Sequence, residues 1–164
     1  MNTEISSSVT CLCGSGREYA ACCGLFHSGE YLPTTALELM RSRFTAYANR
    51  DAKYLLATWD TGKRPAQIDF SKETAEWQKL EIIACKKGGA KDSKGIVEFK
   101  AFYSQDGEDC FMHEISRFVK SGSRWLYLDG VVKAAGKVAS ETVSGRNALC
   151  SCGSGKKFKR CCGR

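Results

Sequence analysis

Cys110-Phe-Met-His-Glu-Ile-Ser-Arg-Phe-Val-Lys120 is followed by Ser121-Gly-Ser123 and then by Trp125-Leu-Tyr-Leu-Asp-Gly-Val-Val132, and this stretch decides the architecture. Apolar and polar side chains alternate through both runs, the period of a pleated strand, and the glycine-centred link between them has hairpin chemistry. Upstream, Leu80 to Lys86 and Gly95 to Ser104 show the same period, with Gly88-Gly89 and Asp106-Gly107 as connectors. Four strands joined this closely predict an antiparallel meander from about Gln78 onward. Within it His113, Ile115 and Arg117 fall on one face, and Glu114, Ser116 and Phe118 on the other.

Ahead of the meander the spacing is helical. Leu37, Met40, Phe44, Tyr47 and Ala48 recur at helical intervals behind Pro33 and Thr34, with Thr35 and Glu38 placed as a capping box. Asp51 is placed to cap a second helix carrying Tyr54, Leu55 and Thr58, ended by Asp60-Thr61-Gly62 and Pro65, and Ser71 to Trp77 suggests a short third. Helices followed by a curved four-stranded antiparallel sheet make an α+β domain, predicted over residues 32–132. Hydrophobic residues are 43% of the chain, enough for a core.

Outside that domain the 164 residues carry an internal repeat. Cys11-Leu-Cys-Gly-Ser-Gly-Arg-Glu-Tyr-Ala-Ala-Cys-Cys-Gly24 recurs 139 positions later as Cys150-Ser-Cys-Gly-Ser-Gly-Lys-Lys-Phe-Lys-Arg-Cys-Cys-Gly163, with eight of fourteen positions identical. Eight of the ten cysteines lie in these copies; only Cys85 and Cys110 lie between. The spacing suits a metal cage: Gly14-Ser15-Gly16 and Gly153-Ser154-Gly155 bend the chain back so that two pairs of thiolates converge. Tyr19 and Phe158 are placed to cover one side of each site.

A disulfide framework is the competing reading. Adjacent cysteines have Cα atoms about 3.8 Å apart, below the roughly 4.4 Å usual for a bridge, so Cys22–Cys23 would be strained, though crossed pairs are not. Met1 to Thr10 holds no basic start or apolar run, which excludes an ordinary secretory signal, and no segment nears the roughly 18 apolar residues of a membrane span. A cytoplasmic location is expected, where thiols stay reduced. Zinc, two per chain, is therefore the expected cofactor, held by Cys11, Cys13, Cys22 and Cys23 and by Cys150, Cys152, Cys161 and Cys162; an iron–sulfur cluster is the other occupant such a set admits. His27 is a spare nitrogen ligand beside a set that already has four sulfurs. The division is a disordered leader over 1–10, knuckles over 11–26 and 146–164, and a linker over 133–145.

The repeat resembles the SEC-C motif, a zinc knuckle found at the tail of the SecA translocation ATPase and in many small bacterial proteins. Gly145-Arg146-Asn147 matches the motif's lead-in. Leu12 and Ser151 stand where it often has proline, and Cys23 and Cys162 where it often has histidine. The whole chain is similar to the bacterial YchJ-like family, which joins such knuckles to a cystatin-like cone, the nuclear-transport-factor-like fold. The residues carrying that likeness are Leu39-Met40-Arg41-Ser42-Arg43-Phe44, Tyr54-Leu55 with Thr58-Trp59, Val97-Glu98-Phe99, His113 to Phe118, and Trp125 to Gly130. The resemblance implies the fold and its parts and brings no activity with it.

The net charge is +7, yet Gly145 to Arg164 holds six cations and no acid, so all the rest sums to +1. Lys156, Lys157, Lys159 and Arg160 are the expected partner-binding residues: a zinc-bearing interaction module whose basic tail engages a protein or ribonucleoprotein partner. SEC-C in the SecA tail contacts a protein, which implies the same kind of use. The opposing reading is an ordinary solvated surface. In the cone, His113 or Glu114 with Asp129, Tyr127 and Arg41 or Arg43 are expected to line a small-ligand pocket; His113, Glu114 and Asp129 are the acid–base candidates of an alternative small enzyme. Cross-strand pairing of these groups is the plainer expectation. The second alternative is a nucleic-acid binder acting through the tail. There is no G-x-S-x-G, phosphate loop or dinucleotide fingerprint, and Arg117 stands where His113-Glu114 would need its second histidine to be a metalloprotease.

Overall fold

The computed structural model describes residues 8–139, 150 and 152–162. Four strands, β1 (Glu76–Lys87), β2 (Lys94–Gln105), β3 (Glu108–Ser121) and β4 (Arg124–Lys137), pair antiparallel in the order β1-β2-β3-β4. Strict alternation in β2 explains where the core lies: Val97, Phe99 and Ala101 are buried while Ile96, Glu98 and Lys100 lie on the opposite face. Helix α2 (Ala36–Ala48) lays Leu39, Met40 and Phe44 on that inner face, where Leu80, Phe118 and Trp125 complete the core. The shorter α3 (Ala52–Ala57) buries Leu55. This is the α+β cone.

The helix starts are fixed by side-chain caps. The Glu38 amide donates to the Thr35 hydroxyl at 3.1 Å, and the Tyr54 amide to Asp51 at 3.0 Å. Glu38 itself reaches past Thr35 and accepts from the Thr34 amide at 2.7 Å. The β1–β2 turn is pressed against the start of α2: Ala36 donates to the Gly88 carbonyl, and a Cβ at Gly95 would lie 2.6 Å from the Gly88 backbone. Only glycine permits that approach. At the far end, Tyr127 donates to Thr58 and Asp60 donates to Tyr127, each at 2.8 Å, tying the exit of α3 to β4.

Three expectations are corrected. No third helix forms over Ser71 to Trp77; Trp77 lies in β1, its ring packed at a tilt against Tyr103 with ring centres 4.8 Å apart, and this cross-strand contact outweighs local helix preference. The linker predicted over 133–145 is strand as far as Lys137, because β3 begins at Glu108 and offers partners for Ala134 to Lys137. The leader predicted over 1–10 yields Val9 and Thr10 to the first knuckle, through a Thr10–Glu18 bridge and a Tyr19 amide donating to Val9. Residues 1–7 and 140–149, with Arg146 and the Gly145-Arg146-Asn147 lead-in, lie outside the described residues, as does Arg164. Among the described residues no helix is long and apolar enough to cross a membrane.

Candidate functional site

The two cysteine quartets share one local geometry. In the front copy the Cys11 amide donates to the Arg17 carbonyl at 2.8 Å; in the rear copy Cys150 donates to Lys156 at 2.7 Å. Gly14 and Gly16 have φ of 81° and 77°, and Gly153 and Gly155 of 79° and 70°, left-handed turns that bring the first two sulfurs round. A 3-10 turn follows in each, Tyr19–Ala21 and Phe158–Arg160, and delivers the adjacent pair of cysteines. In the front copy that pair begins helix α1 (Cys23–His27).

Within each quartet the four Sγ atoms lie within 4.8 Å of one another. Cys13 and Cys22 are 3.6 Å apart and Cys22 and Cys23 4.0 Å, and in the rear Cys152 and Cys161 are 3.3 Å apart and Cys161 and Cys162 3.9 Å. A disulfide requires about 2.0 Å. A tetrahedral ion with metal–sulfur bonds of about 2.3 Å requires sulfurs roughly 3.8 Å apart. All ten cysteines are free thiols, so the quartets fit a metal and not a bridge.

The thiols also need a cation to ionise together. Hydrogen bonds from Cys13 and Cys23 hold Cys11 well below the usual thiol range, while bonding to Cys11, then to Cys13, with burial added, pushes Cys23 up. In the rear, the Ser154 hydroxyl, then Cys161, lowers Cys152 to about 6, and bonding to Cys150 first raises Cys162 to about 12. In each quartet some thiolates are stabilised at a neighbour's expense, Cys11 against Cys23 in front and Cys150 and Cys152 against Cys162 in the rear; a dication in the centre allows all four. Ser15 lies 3.1 Å from the Cys22 sulfur and Ser154 3.2 Å from Cys161. These serines are site residues that sequence reading passes over as parts of a bend. Their identity in both copies was the signal.

Surroundings separate the two. Cys11, Cys13, Cys22 and Cys23 are all buried, and the Thr45 hydroxyl of α2 donates to the Cys23 sulfur at 3.5 Å and lies 3.7 Å from Cys11. Arg41, expected in the cone pocket, instead donates to the Cys13 carbonyl. His27, the spare ligand, braces the knuckle: Nε2 donates to the Ser42 carbonyl at 2.7 Å, leaving Nδ1 to accept from the Tyr19 hydroxyl at 2.8 Å. In the rear quartet only Cys150 is buried, and among the described residues no hydrogen bond joins it to the cone. Lys156, Lys157, Lys159 and Arg160 are all exposed there.

The concave face of the sheet holds a separate cavity of about 270 Å³, walled by Phe44, Tyr47, Trp77, Phe99 and Met112. Of the residues expected in it, Arg43, Glu114 and Tyr127 line it, with Ser116. His113 and Asp129 do not. His113 bonds Glu98 at 2.7 Å across β2 and β3, and Asp129 accepts from Arg117 Nε at 2.6 Å. The Arg117 guanidinium holds the Asp129 carboxyl below its usual range. Bulges at His113/Glu114 and Arg117/Phe118 set the register of β3 on β4. Glu114 Oε1 accepts from the Ser116 hydroxyl at 2.7 Å and from the Tyr127 hydroxyl at 3.4 Å. Burial raises the Tyr127 hydroxyl above its usual range, and the Glu114 charge adds to this.

The YchJ middle NTF2-like domain matches residues 35–130, and the SEC-C motif matches residues 9–25 and 146–164. The chain is 44% identical over 161 residues to a UPF0225 protein of Serratia proteamaculans, covering 94% of this chain and 97% of that one. It is 39% identical over 161 residues to a UPF0225 protein of Geobacter sulfurreducens, covering 93% and 97%. Its structure is similar to the solution structure of a SEC-C motif containing protein from Rhodopseudomonas palustris, with TM-score 0.68 and 31% identity, over 77% of this chain and 100% of that one. The crystal structure of a SEC-C motif containing protein from Psychrobacter arcticus gives TM-score 0.62 and 28% identity over 96% of both. With the middle domain and both motifs in place over nearly the full length, the chain belongs to the YchJ-like UPF0225 family.

Proposed function

We propose that this protein is a cytoplasmic binding module in which each quartet holds one zinc ion, the basic rear knuckle engages a protein or ribonucleoprotein partner, and the cone accepts a small ligand. The observation that carries the reading is the rear knuckle: a metal-ready quartet displaying four exposed cations. Four thiolates around Zn²⁺ carry −2, so the cations of the tail both offset that charge and extend beyond it. A rigid, densely basic surface of this kind complements acidic protein faces and phosphate backbones. His113 and Asp129 pair with Glu98 and Arg117 outside the cavity, which takes two of the three acid–base candidates out of the cone and favours binding over catalysis there.

Elemental analysis of the purified chain tests the metal half: two zinc are expected, falling to one when Cys13 or Cys152 is changed to Ser, and iron or no metal overturns it. For the tail, replacing Lys156, Lys157, Lys159 and Arg160 by Ala should abolish capture of an acidic partner while leaving the zinc count at two. Tight nucleic-acid binding that weakens steeply with salt and disappears in the same variant would instead establish the nucleic-acid reading.

A further inference from the structure

The concave cavity contains two opposite charges that do not neutralise each other. Arg43 is 2% exposed, yet among the described residues no carboxylate lies within 4.0 Å of it. One guanidinium nitrogen, Nη1, donates to the Leu55 carbonyl and the Thr58 hydroxyl, each at 2.7 Å. The guanidinium carbon stands 4.5 Å from the Tyr127 ring centre and 5.1 Å from that of Trp59. Burial pushes Arg43 below its ordinary range. A buried cation without a counter-ion is costly, and a site lined by one is prepared for an anion.

Glu114 faces the same space. Its Oε1 accepts from Ser116 and Tyr127, whereas Oε2 accepts nothing among the described residues. Its position is set by Gly130 across the strand pair: a Cβ there would collide with the Glu114 carboxylate and lie 2.9 Å from the Tyr127 hydroxyl. The carboxylate thus occupies a gap that only glycine leaves. Tyr47, which lines the same cavity, feels both charges: burial raises its hydroxyl, Arg43 lowers it and Glu114 raises it again.

We propose that the cavity binds an apolar α-amino acid, its carboxylate toward Arg43, its ammonium toward Glu114 and its side chain against Phe99, Met112 and Trp77. This rests on the small-ligand part of the function proposed above and names its chemistry. The charges decide the class: a simple acid would meet the Glu114 carboxylate, and a simple amine would meet Arg43, so a ligand carrying both groups is the one that matches both. Size agrees. At about 270 Å³ the space lies below the roughly 300–1,000 Å³ typical of drug-sized pockets, which suits a ligand of amino-acid dimensions. Tyr47, Trp77, Met112 and Tyr127 are only half-buried, so the site opens to solvent.

Isothermal titration of the full, zinc-loaded chain with phenylalanine and leucine, and with phenylethylamine and phenylpropionate as single-charge analogues, tests this. Saturable one-to-one binding of an amino acid is expected, with each analogue about tenfold or more weaker. E114Q should weaken the amino acid about tenfold and leave phenylpropionate as tight or tighter; M112W, which fills the cavity from a half-buried position, should abolish binding of both. No saturable binding of either amino acid, analogues that bind equally well, or an indifferent E114Q would overturn the proposal. Those results would leave the zinc count and partner capture untouched, so failure here is separable from failure of the module reading.

Discussion

Front and rear knuckles use the same turn, the same serine and the same four sulfurs, but one is embedded and the other displayed. Around the front quartet, Thr45, Arg41 and Ser42 of α2 each bond to the knuckle or its bracing histidine. Around the rear quartet, among the described residues, the bonding partners belong to the knuckle itself. Near-identical quartets therefore sit in opposite surroundings: the buried one adds to a domain's core, and the exposed one shapes a surface. It follows that chelation should loosen the rear knuckle by itself but reach into the cone from the front.

The largest expected difference comes from removing one sulfur on each side. Metal binding in such sites contributes on the order of 10 kcal/mol to ordering them. Cys13→Ser should lower the unfolding free energy of the cone by about 3 kcal/mol in denaturant titrations followed by tryptophan fluorescence, and Cys152→Ser by less than about 0.5 kcal/mol. Equal losses would erase the distinction. A second pair of variants sharpens it. Gly14→Ala and Gly153→Ala both place a side chain at positive φ, at about 1 kcal/mol each. At Gly14 the new Cβ would also meet a backbone atom, the Leu80 oxygen at 2.7 Å, whereas among the described residues nothing lies within 4 Å at Gly153. The front variant should therefore cost about 2–3 kcal/mol and the rear about 1 kcal/mol, measured as zinc retention against a competing chelator. The smallest effect is Thr45→Val, which keeps the shape and loses the hydroxyl facing two sulfurs; about 1 kcal/mol of cone stability should go with it. An unchanged protein would mean that α2 merely touches the knuckle.

Much of this was legible beforehand because it is local. Alternation marked all four strands, Thr35 and Asp51 marked two helix starts, and the repeat marked both quartets. The errors fall where long-range contact decides. Lys133-Ala-Ala-Gly-Lys137 has no alternation to read, and it is strand only because β3 runs alongside. Glu76 and Trp77 read equally well as helix until Ser104 and Tyr103 are placed opposite them. In the pocket, period two correctly opposed His113 to Glu114, but nothing in that pattern says which face is concave. Arg41 and Arg43, two residues apart on a helix, were interchangeable in sequence and went to different sites. The seating of the front knuckle left no local trace, since Thr45 lies 34 residues from Cys11.

Helix α2 has a consequence that follows from its two-sidedness. Arg41 and Thr45, one turn apart, grip the knuckle, while Met40 with Phe44 and Arg43 with Tyr47, also one turn apart, line the cavity. A single thirteen-residue rod is thus loaded from both flanks. A roll about its axis large enough to loosen its hold on the sulfurs would also displace the guanidinium across the cone, so occupancy on one flank and integrity on the other share one mechanical element, and by linkage each would influence the other equally.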